Sequence, residues 1–305
     1  MKRLLTGVAS LLACAGLLTS CDKPAAGGGD GKELIFSILS AEDQANFGPL
    51  WQPLLNDLSK AAGAKITPKF SPTYTSLIEG MRANQTQIGW FSAEPALEAV
   101  DRANATVFAR TVDLEGHDTY HSVVIVKKGS GLTLDAILKC DKTLDFGMGD
   151  VKSTSGTLAP MTYLFKPKGI TPNACFKTVR TGSHQANLFA VSNGLLAAST
   201  NNSVGLDFAR VGSPAAKAAY DKLEIVWTSP DLPESAIVYR KDVDPALQKK
   251  IADFFTTYGT APGAEGDRQR AVLKPLHYTA FHAADDSYLQ PIRDMRASRD
   301  KPAGG

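Results

Sequence analysis

The chain has 305 residues, with 33 Lys and Arg against 31 Asp and Glu, so its formal net charge is +2. This balance produces no strong electrostatic field and argues against nucleic acid or a membrane surface as the main partner. The length suffices for one large domain or two lobes of ordinary size.

The N-terminal segment, 1–21, has the pattern of a targeting sequence and is not expected to be part of the folded domain. Basic residues at 2–3 precede an apolar run at 4–18 that is too short to span a membrane as a mature helix. The segment ends L-T-S-C, which resembles a bacterial lipobox, so we expect cleavage before Cys21 and a lipid on its thiol. A simply secreted protein is the alternative.

The residues after Cys21 predict where the protein is held. Asp22 resembles the signal that retains lipoproteins in the inner membrane of bacteria with two membranes. The segment 22–32 is rich in Pro, Ala and Gly and is predicted to be a flexible tether. We therefore expect a lipoprotein in the periplasm, anchored to the inner membrane.

Strand-like apolar runs alternate with helical periodicity along the rest of the chain, which is typical of βαβ units and mostly parallel sheets. The predicted strands cover 34–39, 65–70, 87–91, 122–127, 144–149, 176–181, 224–228 and 236–239. The predicted helices cover 47–62, 75–84, 157–165, 185–193 and 245–258.

Two α/β halves follow from this order, entered through S-V-V-I-V-K (122–127) and left through A-I-V-Y (236–239). We predict two lobes joined by two crossing strands, with the ligand cleft between them, where the carboxyl ends of strands meet helix starts. The expected segments are 33–125 with 237–298 for the first lobe, 126–236 for the second lobe, and 299–305 for a disordered tail.

Two of the four cysteines, Cys140 and Cys175, lie beyond the targeting segment and the expected lipid site. Each precedes a predicted strand of the same region, and an even pair in an oxidising compartment favours a disulfide. Two buried free thiols are the alternative.

Three hydroxyl residues, Ser153, Thr154 and Ser155, stand at the end of a predicted strand and before a helix. Pro160 is best tolerated in the first helical turn, so that helix is expected to start near Gly156. Unpaired N–H groups at a helix start, with hydroxyls beside them, can hold an oxyanion. Plain N-capping is the alternative, although a cap needs one hydroxyl and not three.

Two further strand-to-helix junctions repeat this chemistry. S-P-T-Y-T-S (71–76) lies in the other predicted lobe and again places hydroxyls at a helix start. G-S-H-Q (182–185) places His184 at the carboxyl end of a strand, where its ring could donate to an anion. Helix starts from both lobes could therefore converge on one tetrahedral anion.

The chain resembles the phosphonate-binding proteins of ABC importers, which are type II periplasmic binding proteins. The matching stretches run in order along nearly the whole mature chain: Y-T-S-L-I-E-G-M-R-A-N (74–84), E-A-V-D-R-A-N (98–104), S-T-S-G (153–156), G-S-H-Q-A-N (182–187), T-N-N (200–202), the run from Trp227 to Pro233, and D-F-F-T-T-Y-G (253–259).

The resemblance implies which residues hold the phosphonate oxygens. They are Tyr74, Tyr120, Ser153, Thr154, Ser155 and His184. It also implies that the lobes close over the ligand and that the closed form docks on a permease in the inner membrane. No cofactor is implied.

The sequence departs from the pattern of family members that bind 2-aminoethylphosphonate through two carboxylates. Val204 and Ser235 stand where those acids would be, although Glu234 and Asp207 lie close by along the chain. A buried ammonium needs a paired carboxylate, so we expect no preference for amines. With His121, Val204 and Ser235 form the predicted substituent pocket, suited to methylphosphonate, phosphite or phosphate.

The same residues allow rival functions. Asp150, Ser153 and His184 could make a hydrolytic triad in a periplasmic hydrolase, but the G-x-S-x-G elbow is missing. H-D-T-Y-H (117–121) is only faintly like a zinc motif and leads into a strand, so no metal site is expected. G-M-G (147–149) lacks the third glycine of a dinucleotide fingerprint. A sensor subunit for the same anions stays open as an alternative.

Overall fold

The computed structural model describes residues 33–39 and 44–301. The predicted leader, the lipid site at Cys21, the tether and residues 302–305 lie outside the described residues. The strands are β1 (Glu33–Leu39), β2 (Lys65–Ser71), β3 (Ile88–Phe91), β4 (Ala105–Val112), β5 (Thr119–Tyr120), β6 (Ser122–Lys127), β7 (Asp145–Met148), β8 (Thr178–Thr181), β9 (Ala198–Asn202), β10 (Leu223–Thr228), β11 (Leu232–Pro233), β12 (Ala236–Arg240) and β13 (Ala280–Ala283).

Helices follow most of these strands. They are α1 (Gln44–Ala62), α2 (Tyr74–Arg82), α3 (Ala93–Arg102), α4 (Leu134–Ile137), α5 (Pro172–Cys175), α6 (His184–Ser192), α7 (Ser203–Val211), α8 (Pro214–Tyr220), α9 (Pro245–Thr257), α10 (Gly263–Leu273) and α11 (Gln290–Asp300). Two short π-helical segments, Thr154–Leu158 and Met161–Phe165, lie between β7 and α5.

The strands form two main sheets, as the sequence predicted. One has the order β13-β4-β12-β3-β1-β2 and the other β10-β6-β9-β7-β8. We call the six-stranded sheet with its helices lobe 1 and the five-stranded sheet with its helices lobe 2.

Both sheets are mixed, which corrects the prediction that they are mostly parallel. Strand β1 is parallel to β2 and β3, and β7 is parallel to β8 and β9. In contrast, β6, β10, β12 and β13 run antiparallel to their neighbours. Strands β6 and β12 enter their sheets from the segments that link the lobes, without the helical crossover that a parallel strand requires.

The chain passes between the lobes at a small ribbon made by β5 and β11. These strands pair antiparallel, with Tyr120 opposite Leu232 and Thr119 opposite Pro233. The run S-V-V-I-V-K was predicted to cross between lobes, but as β6 it pairs along its length with β9 and β10 inside lobe 2. The predicted boundary after residue 125 therefore falls within a strand, because the crossing ends before Ser122.

Helices cover both faces of the lobe 1 sheet. On one face α1 and α9 bury Trp51, Leu55, Ile251 and Phe255 in one cluster with Phe36 of β1. On the other face α2, α3 and α11 bury a second cluster that includes Leu77, Leu97 and Ile292. In lobe 2, clusters around Phe146 and around Ile125 and Leu188 make the corresponding cores.

A disulfide joins Cys140 to Cys175 in lobe 2. Cys175 is buried in the cluster that contains Phe146, Phe165 and Phe176. The bond ties the loop before β7 to α5, which precedes β8, and β7 and β8 are adjacent strands.

The C-terminal segment is more ordered than predicted. Helix α11 continues to Asp300, so the predicted tail at 299–305 begins inside the helix. Ile292 and Met295 are buried, and Arg296 bonds to Glu94 of α3, so packing and an ion pair hold the helix against lobe 1.

Candidate functional site

A cavity of about 80 Å³ lies between the lobes, several times the space that one water molecule needs. Five helical segments begin at its wall, each shortly after a strand. The wall residues at these starts are Tyr74 (α2), Ser92 (α3), Ser153 (the first π-helical segment), His184 (α6) and Asn202 (α7). The first-turn N–H groups of a helix lack intrahelical acceptors and carry partial positive charge, so this cavity is suited to an anion.

The loop that presents the three hydroxyls is closed by two glycines. The Gly149 N–H donates to the Gly156 carbonyl at 2.9 Å. A Cβ on Gly149 would lie 2.5 Å from the Gly156 Cα, so only glycine permits this approach. The pinched loop turns the chain from β7 directly into the helical segment. It therefore fixes Ser153, Thr154 and Ser155 at the carboxyl end of the strand, as the sequence predicted.

The three hydroxyls have different roles in the structure. Ser153 and Ser155 both line the cavity, and the Ser153 hydroxyl also caps the segment by accepting from the Gly156 N–H at 2.9 Å. Plain capping thus accounts for one hydroxyl. Ser155 Oγ instead lies 3.3 Å from His184 Nε2, which is a side-chain contact inside the site.

Thr154 is not among the residues that line the cavity. Its Oγ1 accepts from the Glu94 N–H at 2.8 Å and donates to the Ser92 hydroxyl at 3.2 Å. Both partners belong to the start of α3 in lobe 1. The side chain predicted to hold the ligand therefore bridges the two lobes, because its position on the helical turn faces α3.

His184 begins α6 and directs its ring at the hydroxyls. Its Nε2 lies 3.3 Å from Ser155 Oγ and 3.5 Å from Ser153 Oγ. Burial lowers the pKa of His184 to about 4, so the imidazole is neutral near pH 7. Its Nδ1 is buried with no hydrogen-bond partner among the described residues. The ring can donate one Nε2–H to an oxyanion.

The two tyrosines lie on the lobe 1 side and at the crossing ribbon. Tyr74 and Tyr120 are both buried and both line the cavity. Burial raises the pKa of Tyr120, and the nearby Ser155 and Thr154 side chains offset only part of this rise. A phenol that stays protonated keeps its O–H available as a donor. The structure therefore brings Tyr74, Tyr120, Ser153, Ser155 and His184 together at one cavity.

A buried carboxyl, Glu234, also lines the cavity. Its Oε2 accepts from the Ser235 N–H at 2.8 Å and from the Thr111 hydroxyl at 3.1 Å. Burial raises the pKa of Glu234 above its ordinary value. No Lys or Arg is found among the described residues of this wall, so helix starts and neutral donors supply the positive potential.

The predicted substituent pocket is only partly assembled. Val204 and Ser235 line the cavity, whereas His121 does not. The His121 Nδ1 lies 3.0 Å from the Ser229 carbonyl oxygen, and its Nε2 faces Asp231 at 3.6 Å. Asp207 pairs with Arg210 and lines only the larger cleft of about 680 Å³ beside the cavity.

Several wall residues were not picked out from the sequence. Ser92 and Asn202 are N-cap residues, and aromatic walls come from Trp90, Phe208 and Tyr278. Asn202 could have been found from the sequence, because it is the last residue of the T-N-N stretch. In the structure its side chain caps α7 by accepting from the Gly205 N–H at 2.6 Å. The aromatic residues had none, since their positions depend on how the lobes meet.

The residues considered for a hydrolytic triad and for a zinc site have the following contacts in the structure. Among the described residues the buried Nδ1 of His184 has no hydrogen-bond partner and no acid orients the ring as a triad requires, and Asp150 accepts from the Lys152 N–H at 2.8 Å. His117 and His121 contact different acids, Asp113 and Asp231. The described residues hold no group of three or more potential metal ligands.

Over the same residues, no helix has the length and apolar character needed to cross a membrane.

Comparison with known proteins places these features in a family. The family model described as "ABC transporter, phosphonate, periplasmic substrate-binding protein" matches residues 36–289. The chain is 40% identical over 265 residues to the phosphonates-binding periplasmic protein of Escherichia coli, covering 87% of this chain and 76% of that protein.

Two solved structures have the same fold. A binding protein component of an ABC phosphonate transporter from Pseudomonas aeruginosa superposes with a TM-score of 0.83 at 35% identity, covering 88% of this chain and 87% of the other. PhnD1 from Prochlorococcus marinus, in complex with methylphosphonate, gives a TM-score of 0.76 at 20% identity, with coverages of 89% and 99%. The second likeness shows the fold alone.

Proposed function

The chain belongs to the phosphonate periplasmic substrate-binding proteins of ABC transporters, and we propose that it captures a phosphorus oxyanion in the cavity between its lobes and delivers it to a membrane permease. The ligands in question are phosphonate, alkylphosphonate, phosphite and phosphate. They share a tetrahedral head of acceptor oxygens, which is what the cavity is suited to hold.

One observation carries the proposal: five helix starts and the side chains of Tyr74, Tyr120, Ser155 and His184 meet at one small cavity without Lys or Arg in its described wall. Directional N–H and O–H donors stabilise an oxyanion without burying a full countercharge. A carboxylate or chloride would leave several of these donors unsatisfied, since neither has a tetrahedral set of oxygens.

The two lobes contribute complementary parts of the site. Tyr74 and Ser92 come from lobe 1, and Ser153, Ser155 and His184 come from lobe 2. Phe208 of α7 stacks on His277 of lobe 1 with ring centroids 3.7 Å apart, so the lobes are also in contact beside the cavity. We infer that the ligand is enclosed by closure about the β5–β11 ribbon, with this closed form presented to the permease.

We also propose that the mature protein is a lipoprotein of the periplasm, anchored through Cys21 to the inner membrane. The apolar segment, the L-T-S-C ending and Asp22 support this proposal. Mass spectrometry of the N-terminal peptide from membrane-purified protein should show a lipid-modified Cys21. Recovery of an unmodified peptide cleaved elsewhere would leave simple secretion as the account.

Thermal and urea unfolding with and without ligand test the binding proposal. At a hundredfold excess over Kd, methylphosphonate, phosphite or phosphate should raise the free energy of unfolding by about 2.7 kcal/mol, because the anion binds only the folded form. Chloride at equal ionic strength serves as the control. Failure of all three phosphorus oxyanions to stabilise the protein beyond chloride would overturn the proposal.

A further inference from the structure

The loop that precedes the hydroxyl cluster reaches across to lobe 1. Lys152 Nζ lies 2.6 Å from Glu98 Oε2, and Glu98 belongs to α3. Neither residue lines the ligand cavity. The pair therefore joins the lobes at a place where it cannot contact the ligand.

Two hydrogen bonds also join the lobes close to this ion pair. Thr154, two residues after Lys152, accepts from the Glu94 N–H at 2.8 Å and donates to Ser92 at 3.2 Å. The start of α3 is thus bound by the hydroxyl loop, and the ion pair lies one helical turn further along α3. Ser153 and Ser155 flank Thr154. Contacts that hold this loop against α3 therefore also position these two serines at the cavity.

Helix α3 is itself fixed within lobe 1. Arg296 of α11 binds the Glu94 carboxylate at 2.8 Å. Arg102 binds Glu98 at 2.6 Å from the next turn of the same helix. Glu98 therefore has one cationic partner in its own lobe and one, Lys152, in the other lobe.

Glu98 is buried, so its carboxylate depends on Lys152, its partner in the other lobe. Its side chain is only 8% exposed, whereas Lys152 is 35% exposed. Burial alone would raise the pKa of Glu98, but the hydrogen bonds and charges of Lys152 and then Arg102 outweigh it, and the pKa is lowered. A buried carboxylate that loses one of two partners is destabilised, so separation of the lobes is opposed at this point.

We propose that Lys152 and Glu98 form an interlobe clasp that holds the Ser153–Ser155 loop against α3 and sets how fast a bound oxyanion is released. The part that concerns release rests on the proposed function. The clasp acts on closure alone: weakening it lowers the population of the closed form, and the apparent affinity falls by the same factor.

The clasp can be measured without ligand through the Glu94 amide, because this N–H is bonded across the seam to Thr154. In ligand-free protein, Lys152→Gln should speed hydrogen exchange of the peptide at the start of α3 by about threefold to tenfold, the range of a partly buried ion pair. Lys152→Arg should restore slow exchange, since it retains the charge. Arg102→Gln is the matched control, because it removes the partner of Glu98 that lies within lobe 1.

Unchanged exchange in Lys152→Gln, or equal acceleration in Arg102→Gln, would overturn the clasp. The dissociation rate of methylphosphonate, followed by tryptophan fluorescence in stopped flow, should rise by the same factor as the exchange in Lys152→Gln. An unchanged dissociation rate beside faster exchange would overturn its role in release. If neither wild type nor any variant bound a phosphorus oxyanion while exchange responded as stated, the clasp would be supported and the proposed ligand would be wrong.

Discussion

His184 links the chemistry of the cavity to pH at the scale of a single residue. Its folded pKa is about 4 and its ordinary value is 6.5. Because the unfolded chain binds the proton first, the stability from keeping this ring neutral is fully present above about pH 6.5 and is lost as the pH falls toward about 4. His184 is thus expected to make the ligand-free protein acid-sensitive.

Urea unfolding at pH 7.5 and pH 5.0 checks this expectation. Wild type should lose about 1–2 kcal/mol more than His184→Gln over this interval, since the variant has no ring to protonate. His282→Gln, which changes an exposed histidine on β13, should behave as wild type. Equal losses in wild type and His184→Gln would show that the ring is not held neutral.

Ligand choice also depends on single residues. Val204 and Ser235 line the cavity at the two positions where the acids would stand, and Asp207 lies outside its wall; the carboxyl groups of the described wall are those of Asp150 and of Glu234, whose pKa is raised by burial. We therefore expect 2-aminoethylphosphonate to bind less than about tenfold tighter than ethylphosphonate, a difference of about 1.4 kcal/mol. Calorimetric titration of both ligands gives the ratio.

Glu234→Gln is the control for that ratio. A preference for the amine above tenfold in wild type, lost in Glu234→Gln, would mean that Glu234 pairs with the ammonium and that the prediction is wrong.

Among single residues, the sequence located Ser153, Ser155 and His184 through strand-to-helix junctions. It could not show that Thr154 faces α3 or that His121 turns to Ser229, because both orientations depend on contacts with distant segments.

Among the elements, several predicted strands and helices agree closely with the structure, whereas the amphipathic α3 was not predicted. Examples are β2, β6 and α9, whose bounds differ from the predictions by one residue at most. Strand direction was not predictable, since alternation does not report whether a strand runs parallel. Helices α7 and α8 were missed: α7 follows β9 directly, with no turn residues between them, and α8 has only seven residues.

The Cys140–Cys175 bond is the element with the clearest effect on stability. It closes a loop with a sequence separation of 35 residues, which the chain-entropy model values at roughly 3–4 kcal/mol. The double variant Cys140→Ala with Cys175→Ala should lose about that amount in urea unfolding. The bond lies in the lobe 2 core and not in the cavity wall. The Kd of the double variant for methylphosphonate should therefore differ from that of wild type by less than about twofold.

Thiol labelling decides whether the bond forms in the protein. In unfolded, unreduced protein, peptide mapping should find neither Cys140 nor Cys175 labelled, and both should react after reduction. Labelling at these two positions before reduction would contradict the disulfide.

At the scale of the whole molecule, two lobes and a cleft could be predicted from alternating strands and helices, but their meeting surface could not. The aromatic wall of Trp90, Phe208 and Tyr278 and the Lys152–Glu98 pair each join residues far apart in the chain. Such contacts are fixed by the packing of complete lobes. The sequence therefore predicted several residues of the cavity wall better than it predicted how the lobes enclose the cavity.

We propose that Ser155 and His184, brought together at the start of two helical segments, bind a phosphorus oxyanion between the lobes. Isothermal titration of the purified protein with methylphosphonate, phosphite and phosphate tests it most directly, with Ser155→Ala, His184→Ala and the exposed Ser130→Ala as control. We predict one site per chain, weakened by about 1–3 kcal/mol in each of the first two variants and unchanged in the third. Equal affinity in wild type, Ser155→Ala and His184→Ala would contradict the account.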